Sequence, residues 1–256
     1  MFNYQKLCSS TYGKAFFLAL SLLTRLPSAK LTDIQPSDSG RSSLFYPLIG
    51  LIIGLLFYVP LSFFDEPSQI TIAAVITVFW AIVTGGLHLD GLADSADGWL
   101  GGMGDQEKTQ QIMKDPLVGS AGVIAIVSIL ILKFAVLTTI LQQTFHGMLL
   151  ASGIIILAPV IARSMILLLL ITTDYVQKKG IANDIAEHLP RQSAMWIVLI
   201  CVLIGFYFSF WGMLFVLIGL WLLRRLMLKT LGGCTGDTIG ATVEITEVLF
   251  LIGYVF

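Results

Sequence analysis

Long apolar runs recur along almost the whole chain, and they restrict what it can fold into more than any other feature. A helix needs about 20 apolar residues to cross the hydrocarbon core of a bilayer. Four runs approach or exceed this length and are predicted to span, at residues 44–64, 70–87, 118–141 and 148–171. Only 12% of the residues are charged, whereas soluble domains carry about 25%. The chain is therefore predicted to be a multi-pass membrane protein.

The C-terminal part of the sequence is interpreted as three further spans. Residues 195–223 form an apolar run of 29 residues, which as one helix would be about 43 Å long against about 30 Å of hydrocarbon. We therefore split it near residues 209–212, with one strongly tilted helix as the alternative. Residues 241–256 complete the last span. Residues 15–24 are too short to cross and are predicted to be interfacial or re-entrant, with a secretory signal peptide as the alternative.

The predicted fold is an all-α transmembrane bundle with about seven spans and a short N-terminal helix, in a single membrane domain over residues 1–256. Loops that contain lysine or arginine alternate along the chain with short loops that contain neither. By the positive-inside rule, this pattern predicts that the long polar loops lie in the cytoplasm. These cations are Lys30, Arg41, Lys108, Lys114, Lys178, Lys179, Arg191, Arg224, Arg225 and Lys229. The net charge of −1 does not bear on nucleic-acid binding, but the sequence has no basic patch large enough for it, so no nucleic-acid partner is expected. Three cysteines without a CxxC pair support neither a disulfide framework nor a zinc site.

Three aspartates follow the second predicted span within a glycine-rich stretch, residues 85–98. Asp90, Asp94 and Asp97 are four and three residues apart, so they share one face if the segment is helical. Like charges on one face repel each other, and clustering them at a membrane is costly unless a cation binds. The pattern therefore indicates a Mg²⁺ or Mn²⁺ site that holds a phosphorylated ligand. The simpler alternative is a helix N-terminus whose dipole favours acids.

A second acidic motif lies near the end of the chain, after a glycine-rich turn. Asp237, Glu244 and Glu247 are seven and three residues apart, which again places them on one helical face. The turn, which includes Gly236, is a candidate for presenting backbone N–H groups to a phosphate. Glycines that merely cap a helix end are the alternative. Both acidic motifs are predicted to lie on the same side of the membrane.

Two cations, Lys133 and Arg163, lie inside predicted spans. Intramembrane cations usually face the bundle interior and pair with another group, so both are candidates for neutralising substrate phosphates or the acidic faces. Arg163 follows a kink predicted at Pro159. The alternative is snorkelling to an interface, which suits Lys133 better than Arg163.

The stretch GGLHLDGLAD at residues 85–94, followed by Asp97 and Gly98, resembles the signature of the cobalamin synthase family, also called adenosylcobinamide-GDP ribazoletransferase. Further, individually weaker matches occur in family order at residues 24–27, 46–50, 107–115, 119–122, 162–164 and 232–237. The matches extend over nearly the whole chain, although residues 33–43 and 145–157 match nothing in that pattern.

The resemblance implies a bacterial inner-membrane enzyme that joins α-ribazole, or its 5′-phosphate, to adenosylcobinamide-GDP in the last steps of cobalamin biosynthesis. It implies that GMP leaves, that adenosylcobalamin or its 5′-phosphate forms, and that the reaction depends on Mg²⁺. On this interpretation Mg²⁺ is expected on Asp90, Asp94 and Asp97. Either Asp97 or Asp237 is expected to accept the proton of the attacking hydroxyl. Candidate substrate-binding residues are Arg25, Lys114, Lys133, Arg163, Gly236 and Glu244.

Two other functions are kept as alternatives. A CDP-alcohol phosphotransferase would use similar chemistry, but its motif requires arginine where this chain has Asp94. A transporter would place its coupling acids near the membrane midplane, often in repeated halves. Here the acids lie at the ends of predicted spans and the sequence shows no repeat, which favours the enzyme.

Overall fold

The computed structural model describes residues 10–58, 68–145, 149–178 and 180–256. Within these ranges the chain forms helices and loops, with no β-strand. The helices, in chain order, are α1 (Thr11–Leu23), α2 (Pro36–Ser42), α3 (Tyr46–Tyr58), α4 (Gln69–Val83), α5 (Leu87–Gly102), α6 (Gln106–Ile112), α7 (Ser120–Phe145), α8 (Leu149–Thr172), α9 (Ile181–Glu187), α10 (Arg191–Phe208), α11 (Phe210–Leu231) and α12 (Gly236–Val255). A 3-10 turn, Ser43–Phe45, joins α2 to α3. The predicted all-α fold is confirmed.

Six helical stretches in the described part of the chain are long and apolar enough to cross a membrane. The pair α4 and α5 forms a seventh candidate, bent by 86° between its two helices. This agrees with the prediction of about seven spans. The apolar helix α1 is shorter, as expected for an N-terminal helix that does not cross. It packs into the bundle, where Ala15 and Ala19 are fully buried.

The long apolar run of the C-terminal part is broken at Ser209, as predicted. Here α10 ends at Phe208 and α11 begins at Phe210. Ser209 adopts an extended backbone, and its hydroxyl accepts a hydrogen bond from the Gly212 N–H at 3.0 Å. This contact caps the first turn of the new helix. The alternative of one tilted helix is wrong.

The first span begins earlier than the sequence predicts. Helix α2, the 3-10 turn and α3 together form a candidate span over residues 36–57, whereas the predicted span began at residue 44. Buried serines such as Ser42 lower the hydropathy of this part although it packs inside the protein. Gly40 lies directly against the backbone of His188, at the end of α9. The end of the predicted span and the loop after it lie outside the described residues.

Helix α8 runs through the core of the bundle, and α3 packs closely on it. Two glycines of α3, Gly50 and Gly54, face the α8 backbone at Pro159 and Ile156. A Cβ added at Gly54 would lie 2.7 Å from the Ile156 Cα. Small residues four apart let membrane helices approach to backbone contact. The α3–α8 pair therefore depends on the absence of side chains at these two positions.

A sharp elbow between α4 and α5 sets the direction of the first acidic motif. Gly85 and Gly86 have φ angles of +66° and +69°, in the left-handed region that favours glycine. The Gly86 N–H donates to the Ala81 carbonyl at 2.9 Å and closes the end of α4. Helix α5 then begins at Leu87 and turns away from α4 by 86°. The aspartates of the motif therefore lie on a separate helix, which does not extend α4.

We predict that Gly54→Val lowers the stability of the bundle by about 1–3 kcal/mol, because the new methyl groups would force α3 away from α8. The measurement is the thermal unfolding midpoint of the purified protein in detergent. The control is Leu51→Val, which places the same side chain on the exposed side of α3 and is expected to leave the midpoint nearly unchanged. Equal midpoints for the two variants would contradict the proposed packing.

Candidate active site

Helices α5 and α12 cross at two glycines, so closely that their backbones touch. A Cβ added at Gly91 of α5 would lie 2.6 Å from the Asp237 carbonyl oxygen. One added at Gly240 of α12 would lie 3.2 Å from the His88 Cα. The crossing places Asp237, in the first turn of α12, beside the aspartates of α5. The two acidic motifs that are far apart in the sequence therefore meet in the structure.

Asp94 lies within the field of three other carboxylates. Asp94 is partly buried, and the charges of Asp90, Asp237 and Asp97 act on its carboxylate. All the ion pairs found within the described ranges involve other acids. Acids grouped without a compensating lysine or arginine repel each other and attract a cation. The repulsion between these acids that the sequence predicts follows from this grouping, and the binding of a cation to them stays a prediction.

Carboxylates of this kind suit a hard divalent cation. Within the described ranges, no three His, Cys, Asp or Glu side chains converge closely enough to hold a metal between them. Mg²⁺, however, is usually held by one or two carboxylates together with substrate phosphates, and seldom by a complete protein cage. Asp90 and Asp94, one helical turn apart on α5, fit that pattern of ligands.

Asp97 has a different environment from the other aspartates of α5. Its two carboxylate oxygens accept hydrogen bonds from the backbone N–H groups of Gly119, at 2.7 Å, and Gly122, at 2.9 Å. A Cβ at either glycine would collide with this carboxylate. Asp97 therefore fastens the loop before α7, and it also stabilises the N-terminal end of that helix. Its predicted roles as metal ligand and as base stay predictions.

Two cavities flank Asp237. The larger has a volume of about 300 Å³, and Asp90, His88 and Asp237 line it together with residues of α1, α8 and α9. His88 is buried, and its Nδ1 has no hydrogen-bond partner among the described residues. The smaller cavity, of about 30 Å³, contains Lys114 and Thr235 next to Asp237. Asp237 thus faces a larger space on one side and a lysine on the other.

Arg25, another predicted substrate-binding residue, lies against the elbow between α4 and α5. Its backbone N–H donates to the Val83 carbonyl at 2.7 Å. Its side chain passes over Gly85, where an added Cβ would collide with the guanidinium. The glycine thus leaves room for an exposed arginine beside the start of α5.

The glycine-rich turn before α12 is held by a short parallel bridge to the loop after α8. The Cys234 N–H donates to the Asp174 carbonyl at 2.9 Å, and the Val176 N–H donates to the Cys234 carbonyl at 3.0 Å. Burial raises the pKa of the Cys234 thiol to about 12. The thiol therefore stays protonated at neutral pH, and Cys234 acts as a packing residue of the turn.

The same turn exposes Gly236 at the N-terminus of α12. Thr235 caps this helix, because its side chain accepts a hydrogen bond from the Thr238 N–H at 3.3 Å. The free N–H groups of a helix N-terminus favour anions, which agrees with the role predicted for Gly236. Tyr175 lies beside it, with its hydroxyl 3.7 Å from where a Gly236 Cβ would be. Sequence reasoning missed Tyr175, since no motif spacing connects it to Gly236.

Lys133 and Arg163 form a buried ion cluster with Glu244 and Glu247. Lys133 Nζ lies 2.9 Å from Glu244 Oε2 and 2.7 Å from Glu247 Oε2, and Arg163 Nη1 donates to Glu247 Oε1. All four side chains are at most 2% exposed. Lys133 also lies over Trp80, with Nζ 4.5 Å from the ring centroid. The predicted pairing of these cations inside the bundle is confirmed, and the snorkelling alternative is wrong.

This burial bears on three predicted substrate-binding residues. Lys133, Arg163 and Glu244 line neither of the two cavities beside Asp237. The cations neutralise the acidic face of α12, which was one of the two roles expected for them. A substrate contact by any of the three stays a prediction, and their position does not support it. Helical spacing shows which residues share a face, but it does not show whether that face points inward.

Comparison with known proteins identifies the relatives of this chain. The model of a family described as cobalamin-5-phosphate synthase matches residues 15–255. A protein of Pseudomonas entomophila, named adenosylcobinamide-GDP ribazoletransferase, is 44% identical over 93% of this chain and 97% of its own length. A protein of Acinetobacter baumannii with the same name is 40% identical over 94% of this chain and 96% of its own length. No solved structure matches the chain.

We predict that Asp97→Asn loosens the loop before α7, because an amide nitrogen would replace one of the two oxygens that accept backbone hydrogen bonds. Trypsin should then cleave at the exposed Lys114 several times faster than in the wild type. Glu107→Gln, at an exposed position of the same segment, is the matched control and should leave the cleavage rate unchanged. An unchanged rate in Asp97→Asn would show that these bonds do not order the loop.

A second prediction concerns the ion cluster. Lys133→Met removes the ion-pair partner that Glu244 has among the described residues and leaves Glu247 with Arg163, and breaking a buried pair in this way costs about 3–5 kcal/mol. The double variant Lys133→Met with Glu244→Gln restores charge balance and should recover a large part of that loss. Denaturant titration of the purified protein measures both. Additive losses in the double variant would exclude the coupling.

Proposed function

Because this chain belongs to the cobalamin-5-phosphate synthase family, we propose that it joins ribazole to adenosylcobinamide-GDP, the activity named for its relatives. The observation that carries the proposal is the crossing of α5 and α12, which groups Asp90, Asp94 and Asp237 beside a cavity. Such a group of acids suits a substrate that carries a diphosphate and a divalent cation.

We propose that Asp90 and Asp94 hold Mg²⁺ together with the diphosphate of the donor. The cation would neutralise charge on the phosphate oxygens and on the departing GMP. Lys114, in the small cavity beside Asp237, and Arg25, at the elbow, would contribute further positive charge to the donor. The N-terminus of α12 at Gly236 would add backbone N–H donors.

In the proposed reaction, a free ribose hydroxyl of the acceptor, other than the 5′ hydroxyl, attacks the phosphorus that is linked to cobinamide. A new phosphorus–oxygen bond forms, the bond to the GMP oxygen breaks, and GMP leaves. Asp237 accepts the proton of the attacking hydroxyl. We prefer Asp237 to Asp97 for this step, because both oxygens of Asp97 already accept backbone hydrogen bonds. Ribazole 5′-phosphate would react through the same ribose hydroxyl and keep its phosphate, so that adenosylcobalamin 5′-phosphate forms.

We further propose that the acidic site faces the cytoplasm in a bacterial inner membrane. The proposal rests on the loop cations, which lie on the same side as the aspartates by the positive-inside rule. A CDP-alcohol phosphotransferase would release CMP from a CDP-linked donor, and a transporter would release no nucleotide. Nucleotide release by the purified protein separates these three functions.

The test is GMP release from adenosylcobinamide-GDP and ribazole by the purified protein in detergent at varied Mg²⁺. We expect Asp237→Asn to lower kcat about 10²–10⁴-fold through loss of the proton acceptor. We expect Asp94→Asn to raise the Mg²⁺ concentration that gives half-maximal rate. Glu107→Gln is the control and should behave as the wild type. Near-normal GMP release by Asp237→Asn would exclude this residue as the proton acceptor. A rate independent of the Mg²⁺ concentration would exclude a role for Mg²⁺ in the reaction.

A further inference from the structure

Two kinds of residue line the larger cavity beside Asp237, and we call the parts that they line its acidic half and its apolar half. One half contains the acids Asp90 and Asp237 with the backbone of Gly236. The other half is walled by aliphatic side chains from α1, α8 and α9, namely Leu22, Leu23, Ile166, Leu170, Ile181 and Ile185. A neutral apolar group would be favoured in this second half, because burying its surface removes it from water.

The lining and the volume of the cavity exclude most parts of the two substrates from its apolar half. No lysine or arginine lines the cavity, so a diphosphate in its apolar half would have no cationic partner, whereas Mg²⁺ on Asp90 would hold it in the acidic half. Guanine carries several hydrogen-bonding groups on its edges, and aliphatic walls would leave them unsatisfied. The corrinoid of the donor is far larger than about 300 Å³, a volume at the lower limit of small-molecule pockets.

From these constraints we infer that the apolar half of this cavity binds the fused-ring base of the acceptor nucleoside. This inference rests on the proposed function. Ribazole carries a dimethylbenzimidazole, which is flat, mostly apolar and uncharged. Its ribose, bound in this orientation, extends toward the acidic half, where Asp237 would accept the proton of the attacking ribose hydroxyl. The acceptor would thus reach Asp237 from the apolar half, while the diphosphate of the donor would lie at Asp90 and Asp94 and extend toward Lys114.

His88 supplies a second, independent sign of a ligand in this cavity. Its side chain is 3% exposed, it lines the cavity, and its Nδ1 has no hydrogen-bond partner within the described part of the chain. A buried polar atom without a partner is costly. The base of ribazole keeps one ring nitrogen that is not bonded to the sugar, and this nitrogen is a hydrogen-bond acceptor. An imidazole N–H in the wall can donate to it.

Helix α9 forms the part of the wall that is easiest to vary. Ile185 is buried and faces the cavity, and the helix is held in place by the close contact of Gly40 with His188. Leu170, on α8, contributes to the same half of the cavity. Two variants from different helices, Ile185→Ala and Leu170→Ala, therefore test one space independently. Ile140→Ala removes an equally buried isoleucine that lines neither cavity, and it controls for a loss of stability.

The experiment measures KM for ribazole and KM for adenosylcobinamide-GDP separately. We expect Ile185→Ala and Leu170→Ala each to raise KM for ribazole about tenfold or more, with little change in KM for the donor. Ile140→Ala should change neither value. A rise in KM for the donor alone, or no change in either KM, would overturn the inference.

Direct binding of ribazole to the purified protein, without donor, separates this inference from the proposed function. We expect the wild type to bind ribazole and Ile185→Ala to bind it about tenfold more weakly, while adenosine, with its more polar base, competes poorly. Ribazole binding with this pattern supports the subsite even if no GMP forms, in which case the proposed function fails. GMP formation with unaltered ribazole binding in Ile185→Ala overturns the subsite and leaves the proposed function intact.

Discussion

The backbone contact between α5 and α12 is the constraint on which the candidate site depends. Gly91 and Gly240 let the two helices touch, and that contact places Asp237 among the aspartates of α5. The elbow at Gly85 and Gly86 serves the same arrangement, because it turns α5 away from α4 and toward the start of α12. Side chains at these glycines would hold α5 and α12 farther apart. The two acidic motifs would then be too distant to form one site.

The acidic face of α12 is divided into two parts with different electrostatic roles. Deeper in the bundle, Glu244 and Glu247 are neutralised by Lys133 and Arg163 of α7 and α8. Such a cluster is costly to bury and strongly destabilised if one partner is lost. It therefore fixes the rotation of α12 about its axis. Asp237 lies two turns before Glu244 and forms no ion pair within the described ranges. Its charge therefore stays available to a ligand.

Much of this could be predicted from the sequence, since length and periodicity report directly on local structure. The apolar runs predict the spans, and Ser209 predicts the break in the longest of them. The spacing of Asp90, Asp94 and Asp97 predicts one helical face, but spacing cannot show that Asp97 turns toward the loop before α7. That outcome depends on two distant backbone N–H groups. Likewise, the environments of His88 and of the aliphatic wall depend on helices whose packing no local pattern records.

The position of Asp237 between two unlike cavities connects these observations. On one side lies a space with aliphatic walls, and on the other lies a small cavity with Lys114. A reaction between a mostly apolar nucleoside and a charged diphosphate needs both environments close to one proton acceptor. Aliphatic walls strengthen the electrostatic interactions of the acids next to them, because they exclude water. At the start of α12, the bundle therefore offers an apolar surface and a charged environment next to each other, as the proposed reaction requires.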